Sequence, residues 1–208
     1  MTAMSRNAMP TAWILVHFGP LLLVPLATHT LNPFVGIDNA AAVTHLLVLI
    51  WIAVAQWFVL RPILARPDRW IWRTAAGAAA AVIAGLVVMS TVDLRGYDAL
   101  ATIFGMGAAG LALGLVQAPG QPRSKSRWVL VSFIGWLGGA LVFRSIIVAL
   151  ANLSLSGFLP YGLAYNAGHN ELLWFAVGLA CYGVATAWNI ASITRSTSGE
   201  LGALAAKA

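Results

Sequence analysis

Charge is what this sequence has least of. Asp, Glu, Lys and Arg make up 9% of its 208 residues, against about 25% in an ordinary soluble domain. A conventional water-soluble fold is therefore excluded, and so is an intrinsically disordered chain, whose composition would be polar and charged. Cysteine is nearly absent as well: Cys181 stands alone, so no internal disulfide framework can form. What fills the chain instead is apolar, at 60% hydrophobic residues, arranged in long continuous runs rich in Ala, Leu and Gly.

A helix that crosses the hydrocarbon core needs about 20 apolar residues. On that ruler the sequence divides into six segments, approximately residues 11–31, 41–60, 70–92, 99–118, 128–150 and 171–194. A β-barrel would show alternation over strands of about ten residues and a polar lumen face; these runs are continuously apolar. The expectation is an all-α fold, a polytopic transmembrane helical bundle forming a single domain over residues 1–208.

The basic residues orient this bundle, because short cytoplasmic loops are enriched in Lys and Arg. Arg6 precedes the first segment, and Arg61, Arg66, Arg69 and Arg73 surround the second connection. Arg123, Lys125 and Arg127 follow the fourth segment, and Arg195 and Lys207 follow the sixth. The alternate connections hold Asp38, then Asp93, Arg95 and Asp98, and then a stretch from Ala151 to Asn170 without Lys or Arg. Six spans with both termini in the cytoplasm explain the alternation, and a bacterial inner membrane is the expected location. The formal charge of +6 is then a topological device whose loops favour anionic lipid headgroups. No zinc-finger spacing, recognition helix or aromatic-basic groove accompanies it, so nucleic acid is not an expected partner. The first segment is read as a retained helix and not a cleaved signal, since Pro20 and Pro25 interrupt it and no small-x-small cleavage site follows.

Two hairpins resemble each other. Gln56 lies near the end of the second segment and a basic connection returns at Arg69-Trp70; Gln117 ends the fourth and its basic connection returns at Arg127-Trp128. A duplicated helical hairpin would produce this pattern, as would selection for interfacial Arg and Trp anchors. Glycine suggests how the helices close. Gly107, Gly110 and Gly114 in the fourth segment, and Gly135, Gly138 and Gly139 in the fifth, are expected to permit close backbone approach in lipid. The GMGAAG string at Gly105 is no dinucleotide fingerprint, because it lies inside an apolar segment.

Ionisable residues at membrane depth are costly and therefore worth following. Arg144 stands 16 residues beyond Trp128, roughly 24 Å along the fifth span at a rise of about 1.5 Å per residue. It can snorkel to outer headgroups, pair with Asp38, Asp93, Asp98 or Glu171, or contact an anionic substrate. His29, His45, His169 and Glu171 all fall towards the outer face and would together offer enough nitrogen and oxygen ligands for a transition metal, although no His-x-x-x-His spacing forces them together. His17 alone falls in the cytoplasmic half of its helix. The polar residues between Asn152 and Asn170, with Arg144, Asn166, His169, Asn170 and Glu171 as the main cluster, mark the expected outer surface. Asn166 or Asn170 can cap the last helix, and apolar walls with a few polar groups could hold a quinone, lipid or carotenoid.

No motif names a cofactor or a catalytic residue. The leading expectation is a noncatalytic integral membrane protein, an accessory or assembly subunit of a larger membrane complex that can hold a hydrophobic ligand. The alternatives are a metal- or haem-dependent membrane redox protein with a site near the outer face, and a small transporter using Arg144.

Overall fold

The structure, a computed structural model, describes residues 8–64, 66–93, 98–120, 125–158, 160 and 171–205. It is all-α: α1 Met9–Val35, α2 Ile37–Leu60, α3 Pro67–Asp93, α4 Asp98–Gln117, α5 Lys125–Leu155 and α6 Glu171–Ala205, with a 3-10 turn at Ala118–Gly120 after α4. No strand occurs among the described residues. Each helix packs on its neighbours in sequence, and α6 closes back onto α1. The result is a six-membered ring of helices.

The turns between helices follow from local chemistry. Gly36 alone separates α1 from α2. It adopts φ 78°, open to glycine at little cost, while its N–H donates to Asn32 O at 3.0 Å. Pro67 opens α3, where its missing N–H costs no helical bond, and Asp68 places negative charge in the first turn. Gly157, at φ 80°, closes the end of α5, with Phe158 N–H donating to Leu153 O at 3.0 Å.

Five helices, α1, α3, α4, α5 and α6, contain stretches long and apolar enough to cross a membrane. In α2 the described apolar stretch is the shorter Leu46–Leu60. The exterior of the bundle is hydrocarbon: Leu22, Leu26, Phe34, Trp72, Ile83 and Trp188 are all exposed. Such a surface is unfavourable in water and at home in lipid.

Close approach of the helices explains most of the glycines. A Cβ on Gly110 would lie 2.6 Å from Trp136 Cβ, one on Gly114 would lie 2.9 Å from Ser132 Cβ, and one on Gly107 would press on Leu137 and Phe133. These three fit α4 against α5. Gly135 and Gly139 do the same for α5 against α6, where added Cβ atoms would stand 2.8 Å from the Cα atoms of Tyr182 and Gly178 respectively. Gly138, grouped with them by sequence, faces open space, with nothing within 4 Å of an added Cβ. It lies one residue off the stripe that Gly135 and Gly139 share, and helical periodicity turns it away.

Candidate functional site

Three helices begin at the basic end of the ring, and each repeats one local pattern. Trp13 precedes His17 in α1, Trp70 precedes Thr74 in α3, and Trp128 precedes Ser132 in α5, always at a spacing of four. That spacing stacks the two side chains on one helix face, and all six residues are buried. The three returning helices contribute Gln56 near the end of α2, Gln117 at the end of α4, and Tyr182 and Thr186 in α6, again buried. Polar groups thus converge from all six helices inside an otherwise apolar core.

They satisfy one another in a continuous circuit. Tyr182 Oη donates to Gln117 Oε1 at 2.6 Å, and Gln117 Nε2 donates to Gln56 Oε1 at 3.0 Å and to Thr74 Oγ1 at 3.2 Å. Thr74 Oγ1 donates to Gln56 Oε1 at 3.1 Å, and Gln56 Nε2 lies 2.7 Å from His17 Nε2. His17 Nδ1 lies 2.6 Å from Trp13 O. Trp13 Nε1 donates to Thr186 Oγ1 at 2.8 Å, and Thr186 Oγ1 returns the chain to Tyr182 O at 2.6 Å. Ser132 bonds locally to Trp128 O at 2.8 Å.

One atom sets the orientation of both amides and of the imidazole. Trp128 Nε1, which can only donate, lies 3.3 Å from Gln117 Oε1, so the other end of that amide must be the NH2. Gln117 then requires an acceptor on Gln56, which turns the Gln56 NH2 towards His17. His17 Nε2 must accept, and its proton sits on Nδ1, facing the Trp13 carbonyl. The polarity of the network is transmitted from α5 to α1 by donor and acceptor logic alone. Gln117 spends all four of its bonding positions, two as donor and two as acceptor.

No member of the circuit is a carboxylate, Lys or Arg, so the site avoids the heavy desolvation cost of an intramembrane charge. Aromatic rings cover it. Trp13 and Trp128 meet edge-on with centroids 6.0 Å apart, Trp70 and Trp128 at 6.1 Å, and the His17 and Tyr182 rings lie 5.2 Å apart. Gly183 admits this arrangement, since an added Cβ would collide with His17. Trp70 Nε1 and Asn189 Oδ1 are buried with no hydrogen-bond partner among the described residues. The contact of Gly135 with Tyr182 sets an α5–α6 register in which Asn189 is level with Trp128.

Basic side chains surround the same end. Arg61 lies over the rings of Trp57 and Phe58, at 5.5 and 5.2 Å from their centroids. Arg66 and Arg69 are exposed at the start of α3, as are Lys125 and Arg127 at the start of α5, with Arg73 half-buried.

The residues singled out from the sequence lie mostly at the other end. Arg144 is half-buried in α5, and the register set by Gly110 on Trp136 and Gly114 on Ser132 makes it level with Thr102 of α4. His29 is exposed late in α1, His45 lies in α2, and Glu171 opens α6. Asn166, His169 and Asn170 lie outside the described residues, so the convergence of the proposed metal set falls outside them too. Among the described residues no three His, Cys, Asp or Glu side chains form a group able to hold a metal.

No sequence motif marks the central network as a site. Its traces in the sequence were the matched Gln56 and Gln117 and the tryptophan-to-polar spacing in three helices. Comparison with known proteins finds no matching family model, no matching curated protein and no matching solved structure.

Proposed function

We propose that this chain is a six-span integral membrane protein, with both termini on the cytoplasmic side of a bacterial inner membrane, acting as a noncatalytic accessory or assembly subunit of a larger membrane complex. The observation that carries this reading is the closed hydrogen-bond circuit joining all six helices. Its members spend their bonding capacity on one another, which suits a clasp that holds the bundle in one arrangement and leaves the apolar exterior as the surface for lipids and partner helices. Interhelical hydrogen bonds of this kind favour a specific packing in lipid, where helices gain nothing from hydrophobic association.

The basic end supports the orientation and a contact with anionic headgroups, since Arg61, Arg66, Arg69, Arg73, Lys125 and Arg127 cluster there. The matched placement of Gln56 with Trp70 and of Gln117 with Trp128 supports descent from a duplicated hairpin. A hydrophobic ligand would occupy the exterior seams, where apolar side chains line the surface.

The test is affinity purification from native membranes into lipid nanodiscs without detergent exchange. A membrane protein recovered in fixed stoichiometry, and lost when the exposed Trp188 and Val184 of α6 are replaced by alanine or when another lipid-facing pair is, supports the reading. Recovery of the chain alone with a turnover activity overturns it.

A further inference from the structure

Pro20 lies inside α1 and has no N–H, so the carbonyl of Val16, one turn earlier, loses its helical donor. A side chain from α2 replaces it. Trp51 Nε1 donates to Val16 O at 2.8 Å. The indole can reach the backbone there because residue 19 is glycine: a Cβ at that position would lie 2.6 Å from Trp51 Nε1 and 2.7 Å from its ring. Proline, glycine and tryptophan therefore form one device, a break in the hydrogen-bond ladder of α1, which stays helical throughout, closed from outside by α2.

The two parts of α1 on either side of this break are held differently. On the basic side, Trp13 and His17 are buried in the network and bonded to α6 and α2. Beyond it, α1 contains Pro25 and Pro33 as well; its buried side chains there, among the described residues, are the apolar Val24 and Ala27, which make no side-chain hydrogen bond, while Leu22, Leu26 and Phe34 are exposed at 77%, 67% and 82%. Sharp bends in helices concentrate at proline. In hydrocarbon no water can take over a released carbonyl, so the Trp51 bond biases α1 towards the closed position more strongly than it would in water.

We propose that Pro20 is a hinge and Trp51 its latch: residues 21–35 of α1 swing as a unit about residues 16–20, and release of the Trp51–Val16 bond opens the α1–α2 seam to the surrounding lipid. The inference stands on the bundle geometry and is independent of the accessory-subunit role.

Spin labels at the far ends of α1 and α5 read the motion. In a Cys181→Ala background, Phe34→Cys and Leu155→Cys place the labels at exposed positions, and pulsed electron resonance in nanodiscs gives their distance distribution. Trp51→Phe keeps an aromatic ring over Gly19 and removes only the donor; the expected result is about a threefold rise in the fraction at a second, displaced distance. Adding Pro20→Ala supplies a backbone N–H for Val16 O and should return the distribution to that of the parent. Pro20→Ala alone, with Trp51 intact, should narrow it. A Trp51→Phe distribution equal to the parent's overturns the proposal, as does a Trp51→Phe effect that Pro20→Ala leaves in place. Should Trp51→Phe fail to fold, an unchanged width in Pro20→Ala alone overturns it and a narrowed one supports it.

Discussion

Replacing Gln117 with leucine tests the clasp at its most connected point. The substitution conserves much of the side-chain volume, so a packing change contributes less than about 1.5 kcal/mol. The loss is in bonds: Gln117 makes four, to Tyr182, Trp128, Gln56 and Thr74. Gln56 Oε1 keeps Thr74 as a donor, but Tyr182 Oη and Trp128 Nε1 lose their acceptor inside the core. Two orphaned donors would cost about 2 to 6 kcal/mol on the scale of soluble proteins. In lipid the unfolded chain also finds partners for its polar groups, and interhelical bonds average about 0.6 kcal/mol; four of them come to about 2.4 kcal/mol. The lower scale governs here, because the competing state is a set of inserted helices and not a hydrated chain. Gln117→Leu should therefore lower stability by about 2 to 3 kcal/mol, measured by reversible unfolding in mixed micelles with tryptophan fluorescence as the signal. A double-mutant cycle with Gln56→Leu should be strongly non-additive, since both residues belong to one circuit. A Gln117→Leu protein within about 0.5 kcal/mol of the parent, or additive losses in the cycle, would refute the clasp.

Three further outcomes follow from the same geometry. Gly139→Ala should destabilise by about 1 to 3 kcal/mol, because the new Cβ meets the backbone of Gly178, whereas Gly138→Ala should be neutral; equal effects in the same unfolding assay would contradict the α5–α6 packing. Trp70→Phe removes a buried donor that has no partner among the described residues, so it should cost less than Trp13→Phe, which strands the Thr186 contact; the reverse order would show that Trp70 Nε1 is bonded. Solid-state nitrogen spectra of imidazole-labelled protein in lipid should show His17 as the neutral ring with its proton on Nδ1, and a proton on Nε2 would mean that the amide orientations of Gln56 and Gln117 are inverted.

Much of the helical architecture was legible because long apolar segments write it in composition. Long apolar runs are one-dimensional signals: six helices are present where six spans were expected, five of them with described stretches long and apolar enough to cross a membrane, and the helix boundaries observed exceed the expected spans mainly where a helix continues past its apolar core. Gly107, Gly110 and Gly114 fall on the α4–α5 contact because a spacing of three or four is itself the helix period. Gly138 shows the limit of that logic: adjacent glycines look alike in a sequence, and only the phase of the helix against its neighbour separates 138 from 139.

The network was hidden for a different reason. Gln56 and Gln117 could be noticed as a matched pair, but each looked like an interfacial residue, and His17 looked isolated in its own helix. Nothing local to residues 17, 56, 74, 117, 128 and 182 says that they share one layer, since hydrogen bonds between helices leave no sequence spacing. Arg144 and His29, His45, His169 and Glu171 stand out in the sequence instead, because charge and imidazole in an apolar chain are conspicuous one residue at a time.

The sequence by itself determined a helical, lipid-compatible chain and the end at which its positive charge gathers, because hydrophobic length and loop charge act on each segment separately. The tertiary structure alone decided that α6 closes on α1, that six helices meet in one hydrogen-bonded circuit, and that Trp51 occupies the backbone gap left by Pro20. Those are relations between segments far apart in the chain, and they exist only once register and rotation bring donor to acceptor.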